Sequence, residues 1–98
     1  MAQIEFAPEV TDDFDRIFDH LFGRDVEDAP GRIQDIIAAI DVLERSPQIG
    51  RPCEGGNREL VIGRGSRGYI ALYRYLAAID IVFVLAVRSQ REGGYARP

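Results

Sequence analysis

Residues 58–89 read RELVIGRGSRGYIALYRYLAAIDIVFVLAVRS, and the fold follows from this stretch. It contains three segments rich in the β-branched and aromatic residues typical of strands, at residues 58–63, 68–76 and 80–89. Residues 63–66 and 77–80 are short enough to form hairpin turns between them. Residues 63–68 also match G-x-G-x-x-G, but a strand follows where a phosphate-binding loop needs a helix, so a turn is favoured.

The last two of these strands differ in their faces. Residues 81–87 are apolar at every position, which predicts a central strand covered on at least one side. In the strand at 68–76, one side carries Tyr69, Tyr73 and Tyr75 in line with Arg67. We interpret this tyrosine and arginine side as a surface that contacts another molecule rather than as a core face.

Upstream of the strands, the apolar spacing changes to that of helices. Residues 3–7 alternate as a short strand, and Pro8 then suits a helix first turn. A first helix is predicted from an apolar stripe that ends at Gly23 and comprises Val10, Phe14, Ile17, Phe18, Leu21 and Phe22. A second helix is predicted to begin at Asp25 or Asp28 and to end at Ser46-Pro47.

The predicted element order is therefore β-α-α-β-β-β over a single domain, residues 1–98. Helices followed by a strand meander indicate an α+β fold. We expect a helical hairpin packed on one face of a mostly antiparallel four-stranded sheet.

Composition excludes several classes of protein. The longest apolar run has seven residues, well short of the roughly 18 that a membrane span needs. The first residues lack the basic and apolar regions of a signal peptide. Because Cys53 is the only cysteine and His20 the only histidine, neither an internal disulfide nor a structural zinc site is expected. We expect a cytoplasmic protein without cofactor or metal.

Charge divides the chain into two halves. Residues 1–45 hold twelve acidic residues against four arginines, a net charge of −8, whereas residues 46–98 hold four acidic residues against eight arginines, a net charge of +4. This asymmetry indicates one acidic face and one basic, anion-binding face. The alternative is that the helices simply carry solvated acidic residues, and the sequence leaves both interpretations open.

In this order and at this length, five stretches resemble the RelE/ParE superfamily of bacterial toxins, the poison components of type II toxin–antitoxin systems. The resemblance is closer to the ParE branch, often labelled plasmid stabilisation proteins. The stretches are Ile4-Glu5-Phe6-Ala7-Pro8-Glu9-Val10, residues 46–52 (SPQIGRP), residues 58–62 (RELVI), residues 69–74 (YIALYR) and residues 84–95 (VLAVRSQREGGY).

The resemblance implies growth inhibition by the free protein and a cognate antitoxin whose C-terminal segment wraps the toxin, hence a hetero-oligomer. ParE-branch toxins are associated with DNA gyrase, whereas RelE-branch toxins cut messenger RNA on the ribosome. A non-toxic binding module of the same fold is a third possibility. Contacts with the target or the antitoxin are expected at Tyr69, Tyr73, Arg74, Tyr75, Arg88 and Arg91.

If the chain is an enzyme, the resemblance implies an endoribonuclease that uses Arg67, Arg88, Arg91 and Tyr95. Such cleavage needs a base, an acid and cations around the phosphate. Ser89 stands where many relatives have a histidine, the chain has no lysine, and arginine is a poor base. Glu54 or Glu59 could serve as base, but neither lies in a matching motif. Together with the net charge of −4, this favours protein contact over RNA cleavage.

Overall fold

A computed structural model of the chain describes residues 1–23, 29–63, 68–91 and 94–95. Two helices pack against a five-stranded sheet with the strand order β1-β5-β4-β3-β2. The elements are β1 (Gln3–Phe6), α1 (Val10–Gly23), α2 (Ala29–Ile40), β2 (Arg51–Pro52), β3 (Arg58–Ile62), β4 (Tyr69–Leu76) and β5 (Ile81–Ser89). A 3-10 turn, Asp41–Glu44, continues from α2. Strand β1 runs parallel to β5, and the other pairings are antiparallel. The predicted α+β fold is confirmed.

The sheet has five strands rather than the four predicted. The extra strand β2 has only two residues, which pair as Arg51↔Glu59 and Pro52↔Arg58 within a segment that we expected to be a loop. Proline lacks an N–H donor and is therefore confined to sheet edges, so a strand containing Pro52 resembles a loop in sequence. The predicted turn at 63–66, the predicted helix start at Asp25 or Asp28, and Arg67 lie outside the described residues, except for Gly63.

Strand β5 lies between β1 and β4, as its apolar run predicted. Val82 of β5, for example, pairs with Ile4 of β1 on one side and with Tyr75 of β4 on the other. Val82, Val84 and Val87 are fully buried, because helix α1 packs over this strand.

The apolar stripe of α1 is only partly buried. Val10, Ile17 and Leu21 belong to the core, whereas Phe14 and Phe18 are half-buried and Phe22 is 70% exposed. The ring of Phe22 stacks on Phe18, with 6.0 Å between ring centroids. The helix thus has the predicted length, but its aromatic edge faces outward.

The interpretation of the tyrosine side of β4 as a non-core face is wrong. Tyr69, Ala71 and Tyr73 all lie in the core cluster beneath the helices, and Tyr73 is fully buried. The Tyr73 hydroxyl accepts a hydrogen bond of 2.8 Å from the Gly50 N–H. Tyrosine can be buried in this way because its ring is apolar and its one polar atom has a partner.

A buried carboxylate on α1 binds the edge of β5. Strand β1 stops at Phe6, opposite Val84, so it does not reach Val87. There, Asp13 (1% exposed) accepts a hydrogen bond of 3.0 Å from the Val87 N–H. Arg16 donates to the Val87 carbonyl at 3.3 Å and forms an ion pair with Asp13 at 2.9 Å. These two side chains replace the missing strand, since one supplies an acceptor and the other a donor.

Candidate functional site

The face of the sheet turned away from the helices, called the open face below, carries the first candidate site. Cross-strand pairing places Glu59 beside Leu72, and aligns Val61, Ile70 and Arg88 in a second row. Neighbouring residues such as Leu60 and Ala71 point the other way, into the core. The open face therefore combines apolar side chains with charged ones.

Four polar side chains meet on this face and form what we call the Glu59 cluster: Arg51, Glu59, Arg88 and Tyr95. The Tyr95 hydroxyl donates a hydrogen bond of 2.6 Å to Oε2 of Glu59. Arg51 contacts the other carboxylate oxygen, Oε1, through Nε at 3.3 Å. The Arg88 guanidinium lies over the Tyr95 ring, 5.1 Å from its centroid, in a cation–π arrangement.

The surroundings of Tyr95 keep its phenol protonated. Burial is the main cause, followed by the hydrogen bond to Glu59, and together they raise the pKa of Tyr95 well above its ordinary value although Arg88 acts in the opposite direction. At neutral pH, Tyr95 is consequently a hydrogen-bond donor and not a general base.

The structure brings together only part of the predicted catalytic set. Arg88 and Tyr95 are in contact, and Arg91 is an exposed residue just past β5 whose backbone N–H donates to Ser89 Oγ at 3.2 Å. Arg67 lies outside the described residues. Sequence reasoning named Glu59 only as a possible base outside any matching motif, and it did not assign Arg51 to the site. Alternation along β3 points Glu59 to the polar face, but its pairing with Arg51 required the strand β2 that we did not predict.

The predicted contact residues also divide into two groups. Tyr69 and Tyr73 are buried, so their side chains are not accessible from the surface. Arg74 is exposed and donates to the Gly55 carbonyl at 2.8 Å. The half-buried Tyr75 donates to Asp80 Oδ1 at 2.7 Å, and this hydrogen bond raises the pKa of Tyr75. A contact role at these positions stays a prediction, and accessibility favours Arg74, Tyr75, Arg88 and Arg91.

The segment between α2 and β3 is tied to the sheet by its backbone, which fixes Arg51. Arg58 Nη1 donates to the carbonyls of Gln48, at 3.1 Å, and of Gly50, at 2.8 Å. A Cβ at Gly50 would lie 2.6 Å from the Tyr73 ring and 2.9 Å from the Glu59 carbonyl, so only glycine fits there.

Burial, and secondly the charge of Glu59, raise the pKa of the half-buried Cys53 thiol, which argues against a nucleophilic role.

On the helix side, an open apolar groove runs between α1 and α2. It is lined by Phe14, Phe18, Pro30 and Ile33, with Asp15 and Gln34 at its polar positions. Phe22, stacked on Phe18, extends the apolar surface. Sequence reasoning assigned Phe14, Phe18 and Phe22 to the apolar stripe of α1 and did not single them out as residues of a binding groove. Within the described ranges, no helix combines the length and the apolar character needed to cross a bilayer.

Comparison with known proteins identifies one family. Residues 4–93 match the model of the family described as ParE toxin of type II toxin-antitoxin system, parDE. No curated protein matches the chain.

Solved structures give two informative similarities. One is to a chain of the chromosomal ParDE TA system from P. aeruginosa, with 25% sequence identity and a TM-score of 0.76 over 91% of this chain and 96% of that chain. The other is to a chain in the crystal structure of the toxin–antitoxin complex RelBE2 from Mycobacterium tuberculosis, with 22% identity and a TM-score of 0.58 over 91% of this chain and 98% of that chain. At 22% identity, the second similarity concerns the fold alone.

Proposed function

The chain belongs to the ParE toxin family of type II toxin–antitoxin systems, and from this premise we propose that it stops bacterial growth by contacting DNA gyrase and that a cognate antitoxin neutralises it in the cytoplasm. The observation that carries the proposal is the family match over residues 4–93. The similar P. aeruginosa chain comes from a ParDE system, which supports an antitoxin partner for this chain.

The Glu59 cluster supports action by contact rather than by RNA cleavage. One oxygen of Glu59 accepts from Tyr95 and the other contacts Arg51, so the carboxylate is already engaged. Tyr95 itself is held in the protonated form, so it does not supply the base that cleavage needs. A protein target needs only a local basic patch for its recognition, and the exposed Arg74 and Arg91 supply charge of that sign.

The groove between α1 and α2 is where we place the antitoxin. An amphipathic helix docks in such a groove through apolar side chains spaced three or four residues apart. Phe14, Phe18 and Ile33 are half-buried here and offer the complementary apolar surface. The exposed Asp12, Asp15 and Asp19 on α1 favour a helix with basic residues on its flanks.

Controlled expression in a bacterium, with and without the neighbouring open reading frame, tests the proposal. We expect growth arrest by the chain alone, rescue by the neighbour, and loss of DNA synthesis before loss of protein synthesis. Arrest of translation with normal replication and supercoiling would exclude the gyrase target. Normal growth, with soluble folded protein confirmed, would leave a non-toxic binding module.

A pair of surface variants tests the groove separately. Phe22→Ser removes a ring that is 70% exposed, so the fold should persist while antitoxin affinity falls by about tenfold. Ile79→Ser changes an apolar residue of similar exposure, 58%, in the turn before β5, and should leave affinity unchanged. If the two variants change antitoxin affinity equally, the antitoxin does not bind in this groove.

A second candidate function, messenger RNA cleavage, is favoured by one observation. The open face brings a carboxylate, a phenol and two guanidinium groups within contact distance, which are the group types that phosphodiester cleavage uses. If induction cuts transcripts and Glu59→Gln abolishes the cutting, this candidate replaces the first. Intact transcripts after induction exclude it.

A further inference from the structure

The Glu59 cluster consists of one aromatic side chain, called the guest below, and three charged side chains, called the host. The host residues are Arg51, Glu59 and Arg88. The guest is the Tyr95 side chain, with its ring against the Arg88 guanidinium at 5.1 Å and its hydroxyl on Glu59 at 2.6 Å. The host groups come from β2, β3 and β5, whereas Tyr95 lies on the segment that follows β5. Guest and host thus belong to separate elements.

Strand pairing fixes the backbone positions of the host residues. Arg51 and Glu59 are register partners across β2 and β3, and their side chains are in contact at 3.3 Å. With Tyr95 in place, the Glu59 side chain is only 17% exposed. Arg88 lies beside Ile70 in the β4–β5 ladder and donates to the Ser89 carbonyl at 3.2 Å.

The residue before Tyr95 has open space beside it. Gly94, which precedes Tyr95, is exposed, and a Cβ placed on it would meet nothing within 4 Å. The contacts that hold Tyr95 are those of its own side chain, with Glu59 and with Arg88.

We propose that Glu59 and Arg88 form a binding site for a tyrosine side chain of a partner protein, and that Tyr95 occupies this site as an internal plug that the partner must displace. The site recognises a flat ring through the guanidinium and a hydroxyl donor through the carboxylate. Phenylalanine lacks the donor, and a phosphate group would meet the negative charge of Glu59. Because only the open fraction of the chain binds, the plug lowers the apparent affinity of any partner that uses the site.

The test uses the full-length chain with Tyr95→Ala and a titration with N-acetyl-tyrosinamide, followed by two-dimensional ¹H–¹⁵N NMR. The variant is expected to show saturable shifts at the amides of Glu59 and Arg88, with an affinity about tenfold above that of the unaltered chain. N-acetyl-phenylalaninamide should bind about tenfold more weakly, because the donor to Glu59 is missing. Adding Glu59→Leu, which removes the acceptor for the hydroxyl, should abolish this preference for tyrosine.

Absence of shifts at both amides in the Tyr95→Ala variant would overturn the proposal. Equal binding of N-acetyl-tyrosinamide and N-acetyl-phenylalaninamide would also overturn it. So would tighter binding of guanosine or of phosphotyrosine, since the site would then recognise a different kind of ligand. If Tyr95→Ala does not fold, Tyr95→Phe keeps the ring and weakens the plug, and it should bind N-acetyl-tyrosinamide more tightly than the unaltered chain does. These measurements need no toxicity, so they are independent of the gyrase proposal.

Discussion

The contact between Asp13 and Val87 makes a quantitative prediction about stability. Asp13→Ala removes the acceptor of the buried Val87 N–H and the partner of Arg16. A buried N–H left without an acceptor costs about 1–3 kcal/mol, and a hydrogen bond to a charged group contributes about 1.5–3 kcal/mol. These two figures overlap, because both describe the loss of the same interaction.

The ion pair with Arg16 adds little to this figure. The Arg16 side chain is 35% exposed, so water replaces part of the lost attraction and the pair contributes under about 1 kcal/mol. We therefore expect Asp13→Ala to lower the free energy of unfolding by about 2–4 kcal/mol. The whole free energy of unfolding of a domain is about 5–15 kcal/mol, so this loss is a large part of it.

Asp12→Ala is the matched control. It lies in the same first turn of α1, is exposed, and makes the same changes in helix propensity and in charge near the helix N-terminus. Urea unfolding followed by circular dichroism gives both values, and amide exchange at Val87 reports the contact directly. A difference between the two variants below about 0.5 kcal/mol, with Val87 exchange unchanged, would refute the reasoning.

Three further predictions concern tyrosines and their contacts. Tyr73→Phe leaves the Gly50 N–H without its acceptor and should lower the free energy of unfolding by about 1–2 kcal/mol, measured by urea unfolding. Gly50→Ala should cost more than Tyr73→Phe, because the new Cβ would lie 2.6 Å from the Tyr73 ring and 2.9 Å from a backbone carbonyl; equal values would show that the segment can shift. The raised pKa of Tyr95 means that the unfolded chain loses this phenolic proton first, so the free energy of unfolding should fall as pH rises above about 10. Tyr95→Phe should show a smaller fall between about pH 10 and 12, and identical pH profiles would contradict the contact with Glu59.

The fold was largely predictable because its signals are local. The apolar run at 81–87 identified the central strand, and the spacing of Val10, Ile17 and Leu21 identified the buried stripe of α1. Strand β2 was not predictable in this way, since two residues that include Pro52 become a strand only through pairing with β3.

The sites were less predictable because they depend on partners distant in sequence. Alternation showed that Tyr69 and Tyr73 share a side of β4, but the spacing is the same whether that side is the core or the surface. The hydrogen bond from Gly50 to Tyr73 crosses 23 positions, and that from Tyr95 to Glu59 crosses 36. Without knowledge of these contacts, the bulk of a tyrosine side chain does not indicate where its hydroxyl finds a partner.

The central claim, that this toxin acts on gyrase, is tested most directly with purified components. The chain is added to DNA gyrase and relaxed plasmid, with and without the product of the neighbouring open reading frame, and supercoiled and cleaved DNA are measured. We predict loss of supercoiling and accumulation of cleaved plasmid, both reversed by the neighbour's product. Normal supercoiling without cleavage at an excess of folded chain would contradict the claim.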